Sequence, residues 1–173
     1  VLSREPQNAA ALHIRATTRL GEGKADEALA ILDGIVRAGQ SVPGETAPPR
    51  AQTLARLGKL AEAEEAYRAA LKENPKDVKS LVGLGGFHLR RREFAEAEKV
   101  YGQAKAAQPN NIDVQVGLAA SAAGQDQLPA AIKLLESIEV RARTPGVILA
   151  LAGYYMRANQ PTNASALLVA IVE

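Results

Sequence analysis

A recurrence with a period of about 34 residues constrains this chain more than any other feature. A small residue appears at Ala28, Ala63, Ala97, Ala131 and Ser165, at gaps of 35, 34, 34 and 34. A large one follows four positions later, at Leu32, Tyr67, Tyr101, Leu135 and Val169. A step of four keeps both residues on one face of a helix. Prolines punctuate the same frame at Pro6, Pro75, Pro109 and, slightly displaced, Pro145. Self-similarity at this period denotes stacked supersecondary units, each too small to bury its own apolar face.

Within one period the pattern is dense. After Asp77 come Leu81, Leu84, Gly85 and His88, then Ala97, Tyr101, Ala104 and Pro109. Gly85, Ala97 and Ala104 are small where two helices must cross closely, and Leu84 and Tyr101 fill the space beside the crossing. Turn composition at Glu73–Asp77 and Gln108–Asn111 separates one helical run from the next. Shorter breaks at Gly21–Lys24 and Arg91–Glu93 split each unit into two helices.

These spacings are those of W-x2-L-G-x2-Y, A-x3-F and P, with Leu81 for the Trp and His88 for the Tyr. On them the chain resembles the tetratricopeptide-repeat family along its whole length. The resemblance implies an all-α fold, an α-solenoid in which antiparallel helix pairs wind into a right-handed superhelix. The frame divides the chain into the tail of a preceding repeat (1–8) and units at 9–43, 44–77, 78–111, 112–145 and 146–173. Repeat one carries Arg15 and Ala16 at its Leu and Gly positions and rests on its second helix, Asp26 to Val36. Gly39 to Pro49 holds three prolines, so the first helix of repeat two is expected to start near Pro48 or Pro49. Residues 166–172 are apolar throughout, and the sequence reads as an excerpt from a longer array.

Composition closes off several function classes. The 21 Lys and Arg nearly balance the 19 Asp and Glu, so a net charge of +2 gives no electrostatic footprint for nucleic acid. No cysteine is present, which excludes disulfides, thiolate metal sites and a Cys nucleophile. No apolar run approaches the ~20 residues of a membrane-spanning helix, so direct membrane insertion is not expected. Gly83-Leu84-Gly85-Gly86 lies inside a helical run without a preceding strand, and so does not read as a phosphate loop. His13 and His88 stand more than two repeats apart with no ligand or triad partners. The chain is therefore expected to be no enzyme and to need no cofactor or metal.

A protein or peptide partner remains. In the tetratricopeptide family the first helix of each unit lines a concave groove that holds ligand peptides. The repeat projects Lys79, Val82, Gly86, Arg90, Val116, Ala120, Leu151, Tyr154 and Arg157 onto that face, with His13, Thr17, Gln52 and Arg56 upstream. The Lys, Asn and Arg set with which some members clamp a C-terminal carboxylate is not reproduced. An apolar trough with a basic rim is expected instead. The resemblance extends to bacterial polysaccharide-export and secretion components, which implies a scaffold within a larger bacterial protein, periplasmic by that likeness, with a cytoplasmic adaptor as the other placement. A structural spacer that self-associates through its terminal helices, or the regulatory arm of an enzyme, are the alternatives.

Overall fold

The computed structural model describes residues 8–169. They form ten α-helices: α1 (Ala9–Gly21), α2 (Ala25–Arg37), α3 (Pro43–Arg56), α4 (Leu60–Glu73), α5 (Val78–Arg90), α6 (Phe94–Ala107), α7 (Ile112–Gly124), α8 (Leu128–Glu136), α9 (Pro145–Arg157) and α10 (Pro161–Val169). A single 3₁₀ turn, Val140–Ala142, follows α8, and no strand occurs among the described residues. Residues 1–7 and 170–173 lie outside this description, and with them the expected tail of a preceding repeat and the end of the apolar run at 166–172.

Two kinds of start alternate along the chain. In four of the five pairs the first helix begins behind a polar cap: Asn8 accepts the N–H of Ala10, Asp77 that of Ser80, Asn111 that of Val114 and Thr144 that of Val147, while α3 follows Val42. The second helix begins behind a left-handed residue instead. Gly23, Gly58, Arg92, Asp126 and Asn159 have φ of 78, 76, 62, 64 and 58°. Their spacings of 35, 34, 34 and 33 define the repeat more sharply than any side chain does. Five residues beyond each lies an alanine buried to 1% or less: Ala28, Ala63, Ala97, Ala131 and Ala164. Each bonds its N–H to the carbonyl of the residue that follows the turn, from Lys24 in the first pair to Gln160 in the fifth.

That ladder corrects the fifth member of the series. Ser165 is exposed and returns its hydroxyl to the carbonyl of Pro161, while Ala164 takes the buried slot. Val169 is 56% exposed and does not fill the large position. The frame slips because the stretch from Asp126 to Pro145 is one residue shorter than its counterparts. There α8 stops at Glu136, and Arg143 ties the connection by donating to the carbonyls of Glu136 and Ile138. Pro145 consequently opens α9 rather than closing the preceding helix.

The start of α3 is a second correction. The helix begins at Pro43, and Pro48 and Pro49 lie inside it. Thr46 anchors the early turn: it is 1% exposed, and its hydroxyl accepts the Val42 N–H while pairing with the His13 ring. Only two backbone donors are lost to the prolines, within the second turn.

The described residues fall into two compact units that divide inside α5, one reaching to Leu84 and the other beginning at Gly85. In the first, Ala16, Leu32 and Ile35 pack together, and Tyr67 of α4 lies against Gly83. In the second, Tyr101 of α6 is seated between Gly85 of α5 and Gly117 of α7. A Cβ on either glycine would come within 2.6 and 2.2 Å of the ring. A larger core follows from Ala119 through Leu135 and Ile138 to Leu151, Tyr155 and Ala164. Close packing of this kind makes the smallness of Gly85 and Gly117 obligatory.

Candidate protein-binding site

Counting back from the left-handed turns places the expected groove residues. On α5, Lys79 is exposed and Val82 half-buried in the part belonging to the first unit; Gly86 is half-buried and Arg90 exposed in the second. On α7, Val116 and Ala120 are half-buried. Six residues before the turn stand Gly86, Ala120 and, on α9, the exposed Gly153. Ten before stand Val82, Val116 and Leu149, the last 60% exposed.

Leu151 does not belong to this face. It is fully buried in the core of the second unit, eight residues before its turn, where Leu84 and Leu118 stand in the preceding pairs. A step of 34 residues from Val82 and Val116 arrives at Ala150, and the one-residue deletion before α9 moves the equivalent position to Leu149. Leu149 and Gly153 are the positions that frame missed, and the exposed Leu149 is the apolar residue that replaces it.

The arginines are partly committed to the fold. Arg157 donates from Nη2 to the carbonyl of Ala123 at 3.0 Å, and Arg56 from Nη1 to that of Leu20 at 3.2 Å. Each guanidinium thus adds a second hydrogen bond to a carbonyl at the end of the first helix of the pair before it, where the helix dipole is negative. Arg157 also reaches Asp126 at 3.5 Å. Upstream, His13 is half-buried against Thr46, Thr17 bonds its own helix backbone, and Gln52 is exposed.

In the second unit, Ala120, Tyr154 and Arg157 line one cleft of about 560 Å³, together with Arg92, Phe94, Ala123, Gly124 and Asp126. The cleft lies where the α5–α6 and α7–α8 turns meet the last turn of α9. Its apolar floor is Phe94, Ala120, Ala123 and the ring of Tyr154. Phe94 presses so closely on Gly124 that a Cβ there would sit 2.3 Å from the ring. The Arg92 guanidinium stands over Phe94 at 5.7 Å. Burial pushes the Tyr154 phenol up from its ordinary value, and the positive charge of Arg157 opposes the shift. The phenol stays protonated and can donate a hydrogen bond.

Sequence reasoning missed Arg92, Phe94 and Asp126 because they belong to the turn rather than to the helix face that the family pattern highlights. The Arg90-Arg91-Arg92 run was the signal available. Its members diverge: Arg91 pairs with Glu93 at 2.7 Å and covers the Phe87 ring, Arg92 covers Phe94, and Arg90 is exposed. His88 is 5% exposed and bonds through Nδ1 to the Glu93 carboxylate at 2.7 Å. Hydrogen bonds from His88 and then Arg91 hold the Glu93 carboxyl below its ordinary range. Among the described residues no three His, Asp or Glu side chains gather to hold a metal ion, and no helix is long and apolar enough to cross a membrane.

Paired helices, left-handed turns and buried alanine slots define a helical-hairpin repeat protein. Residues 49–112 match the family model described as tetratricopeptide repeat. No curated protein matches the sequence. Among solved structures, a tetratricopeptide-repeat protein from Parabacteroides merdae is 18% identical, with a TM-score of 0.78 over 98% of this chain and 66% of that one. The chain thus spans about two-thirds of that protein. A thermophilic tetratricopeptide-repeat protein of Thermus thermophilus is 17% identical, with a TM-score of 0.77 over 91% and 87%. MamA from Desulfovibrio magneticus is 20% identical, with a TM-score of 0.75 over 95% and 93%. Over residues 49–112 the chain matches the tetratricopeptide-repeat model, and over nearly all its length it shares the all-helical fold of those solved repeat proteins. None of the three descriptions names an export or secretion protein.

Proposed function

We propose that this chain is a non-catalytic scaffold that holds a segment of a partner protein along the first helices of its pairs. On this reading each of the five helix pairs is one repeat within a bacterial protein. The observation that carries the proposal is the cleft of the second unit. Ala120, Tyr154 and Arg157, chosen from the repeat alone, line it together over an apolar floor. Such a surface suits an extended or helical peptide.

Gly86 gives the cleanest test, because a Cβ there would meet the Tyr101 hydroxyl at 3.6 Å and Arg90 at 3.7 Å, both ordinary contacts. Gly86→Arg should fold and obstruct the face. Gly102→Arg, on α6 with nothing within 4 Å of its Cβ, is the control. Once a partner is isolated from the source organism, its affinity should fall about tenfold or more for the first variant, a loss of about 1.4 kcal/mol, and stay unchanged for the second. The reverse pattern would move the site to the second helices. The purified protein should turn over no substrate; activity that vanishes on changing His13 or His88 would defeat the non-catalytic reading.

Self-association is a second reading with its own observation: Leu149, Met156 and Val169 are 60, 59 and 56% exposed on α9 and α10. Sedimentation at rising concentration separates it from the first, since a scaffold for a foreign segment stays monomeric.

A further inference from the structure

Three features of the second unit converge on the chemistry of what its cleft accepts. The first is Arg92. It occupies the left-handed turn position that Gly23 and Gly58 hold in the first unit, at a φ of 62° that L side chains rarely adopt. Asp126 and Asn159 hold the same position, but Asp and Asn tolerate it far better than Arg does. Backbone outliers cluster at functional sites, and the Arg92 side chain spends its charge on no ion pair with a described residue. It lies only over the Phe94 ring.

The second feature is Gly124. Arg56 and Arg157 stand at the ends of their first helices and cap the preceding pair; at the same place α7 ends in Gly124, against the Phe94 ring. The arginine slot is thus empty of side chain, and the open volume of about 560 Å³ lies beside it. The third feature is charge. Arg92 and Arg157 outweigh Asp126, whose side chain is 92% exposed and 3.5 Å from Arg157. The protonated Tyr154 phenol adds a neutral donor.

We infer that the cleft takes an acidic peptide, an Asp or Glu side chain of the bound segment meeting Arg92 and Arg157 while a neighbouring apolar residue rests on Phe94 and Tyr154. This rests on the scaffold reading above. Guanidinium and carboxylate match in planar, charge-assisted hydrogen bonds. A basic peptide would set like charges together, which disfavours it strongly.

Selection of random displayed peptides on the immobilised full chain tests the inference. Recovered sequences should be rich in Asp and Glu. A recovered acidic peptide, made synthetically, should bind the parent about tenfold or more tighter than it binds Arg92→Gly or Arg92→Asn. Changing its acid to the amide should cost a similar factor, and added salt should weaken the parent complex. Both variants relax the left-handed turn, so their melting temperatures should equal or exceed the parent's, and lost binding cannot then be charged to unfolding. Recovery of neutral or basic peptides, recovery of none, or acidic peptides that bind the Arg92 variants as well as the parent would overturn the inference. The Gly86→Arg test stands apart from all three, so the scaffold reading can survive the loss of this one.

Discussion

The two compact units turn from first to second helix in the same way and with different residues. The first unit uses glycine both times, Gly23 and Gly58, and no side chain projects from its turns. The second uses Arg92, Asp126 and Asn159. Two of these three line the cleft. The contrast teaches that a turn can be built for backbone comfort or for what it displays, and that a strained choice marks the display.

Both units seat a tyrosine on glycine, Tyr67 on Gly83 in the first and Tyr101 between Gly85 and Gly117 in the second, and the largest effect is expected at these seats. Gly117→Val should destabilise the protein by about 3 kcal/mol, because Tyr101 leaves no room for a Cβ. Gly86→Ala, next in the chain to the same ring's other seat at Gly85, should instead stabilise by about 0.5–1 kcal/mol as glycine leaves a helix interior. Equal melting temperatures for the pair would remove the distinction between seated and open glycines. Ala97→Leu comes next, at about 1–3 kcal/mol, because Ala97 is wholly buried.

The turns themselves give the next effects. Gly58→Ala should cost about 1–2 kcal/mol at its φ of 76°, whereas Arg92→Gly should change stability little or raise it by up to about 1 kcal/mol. Thermal melts in which both substitutions destabilise would mean that Arg92 is held by its own contacts, and the contrast between units would fail.

Acid response is the smallest effect and the point at which the units should behave alike. Glu22 beside Gly23 is lowered by Lys24 and Arg19, and Glu93 beside Arg92 by His88 and Arg91. A carboxyl whose folded pKa is depressed adds stability that is complete above its ordinary value of 4.5 and fades as pH falls through the lower folded value. Both groups are solvated, so each contributes little. Glu22→Gln and Glu93→Gln should each flatten the acid side of the stability profile slightly. A change on the alkaline side would contradict the assignment.

Much of this was legible from spacing. Ala28, Ala63, Ala97 and Ala131 were placed correctly because a buried crossing admits only small side chains, a restriction that sequence displays directly. Gly85 was legible for the same reason, though its partner Tyr101 had to be seen to explain it. Ser165 was misplaced because a fixed period carries no information about a one-residue deletion downstream of Asp126, and Leu151 because it stands beyond the groove frame, on the buried face. The start of α3 was misread because Thr46, whose buried hydroxyl anchors the turn, looks like any other threonine. Arg92 escaped because left-handed backbone is a property of the fold, and only glycine announces it in advance.

The short connection between α8 and α9 has a practical consequence. It is the place where the chain has already absorbed a change of length, and it did so with the small buried slots on either side, Ala131 and Ala164, preserved. Val140 is 72% exposed there, between the buried Ile138 and the Thr144 cap, and Arg143 ties the backbone across the gap. Here, rather than at the tight turns, the molecule offers a splice site: a fluorophore, a tag or a foreign loop set at Val140 and Arg141 would face solvent while leaving the helices in step.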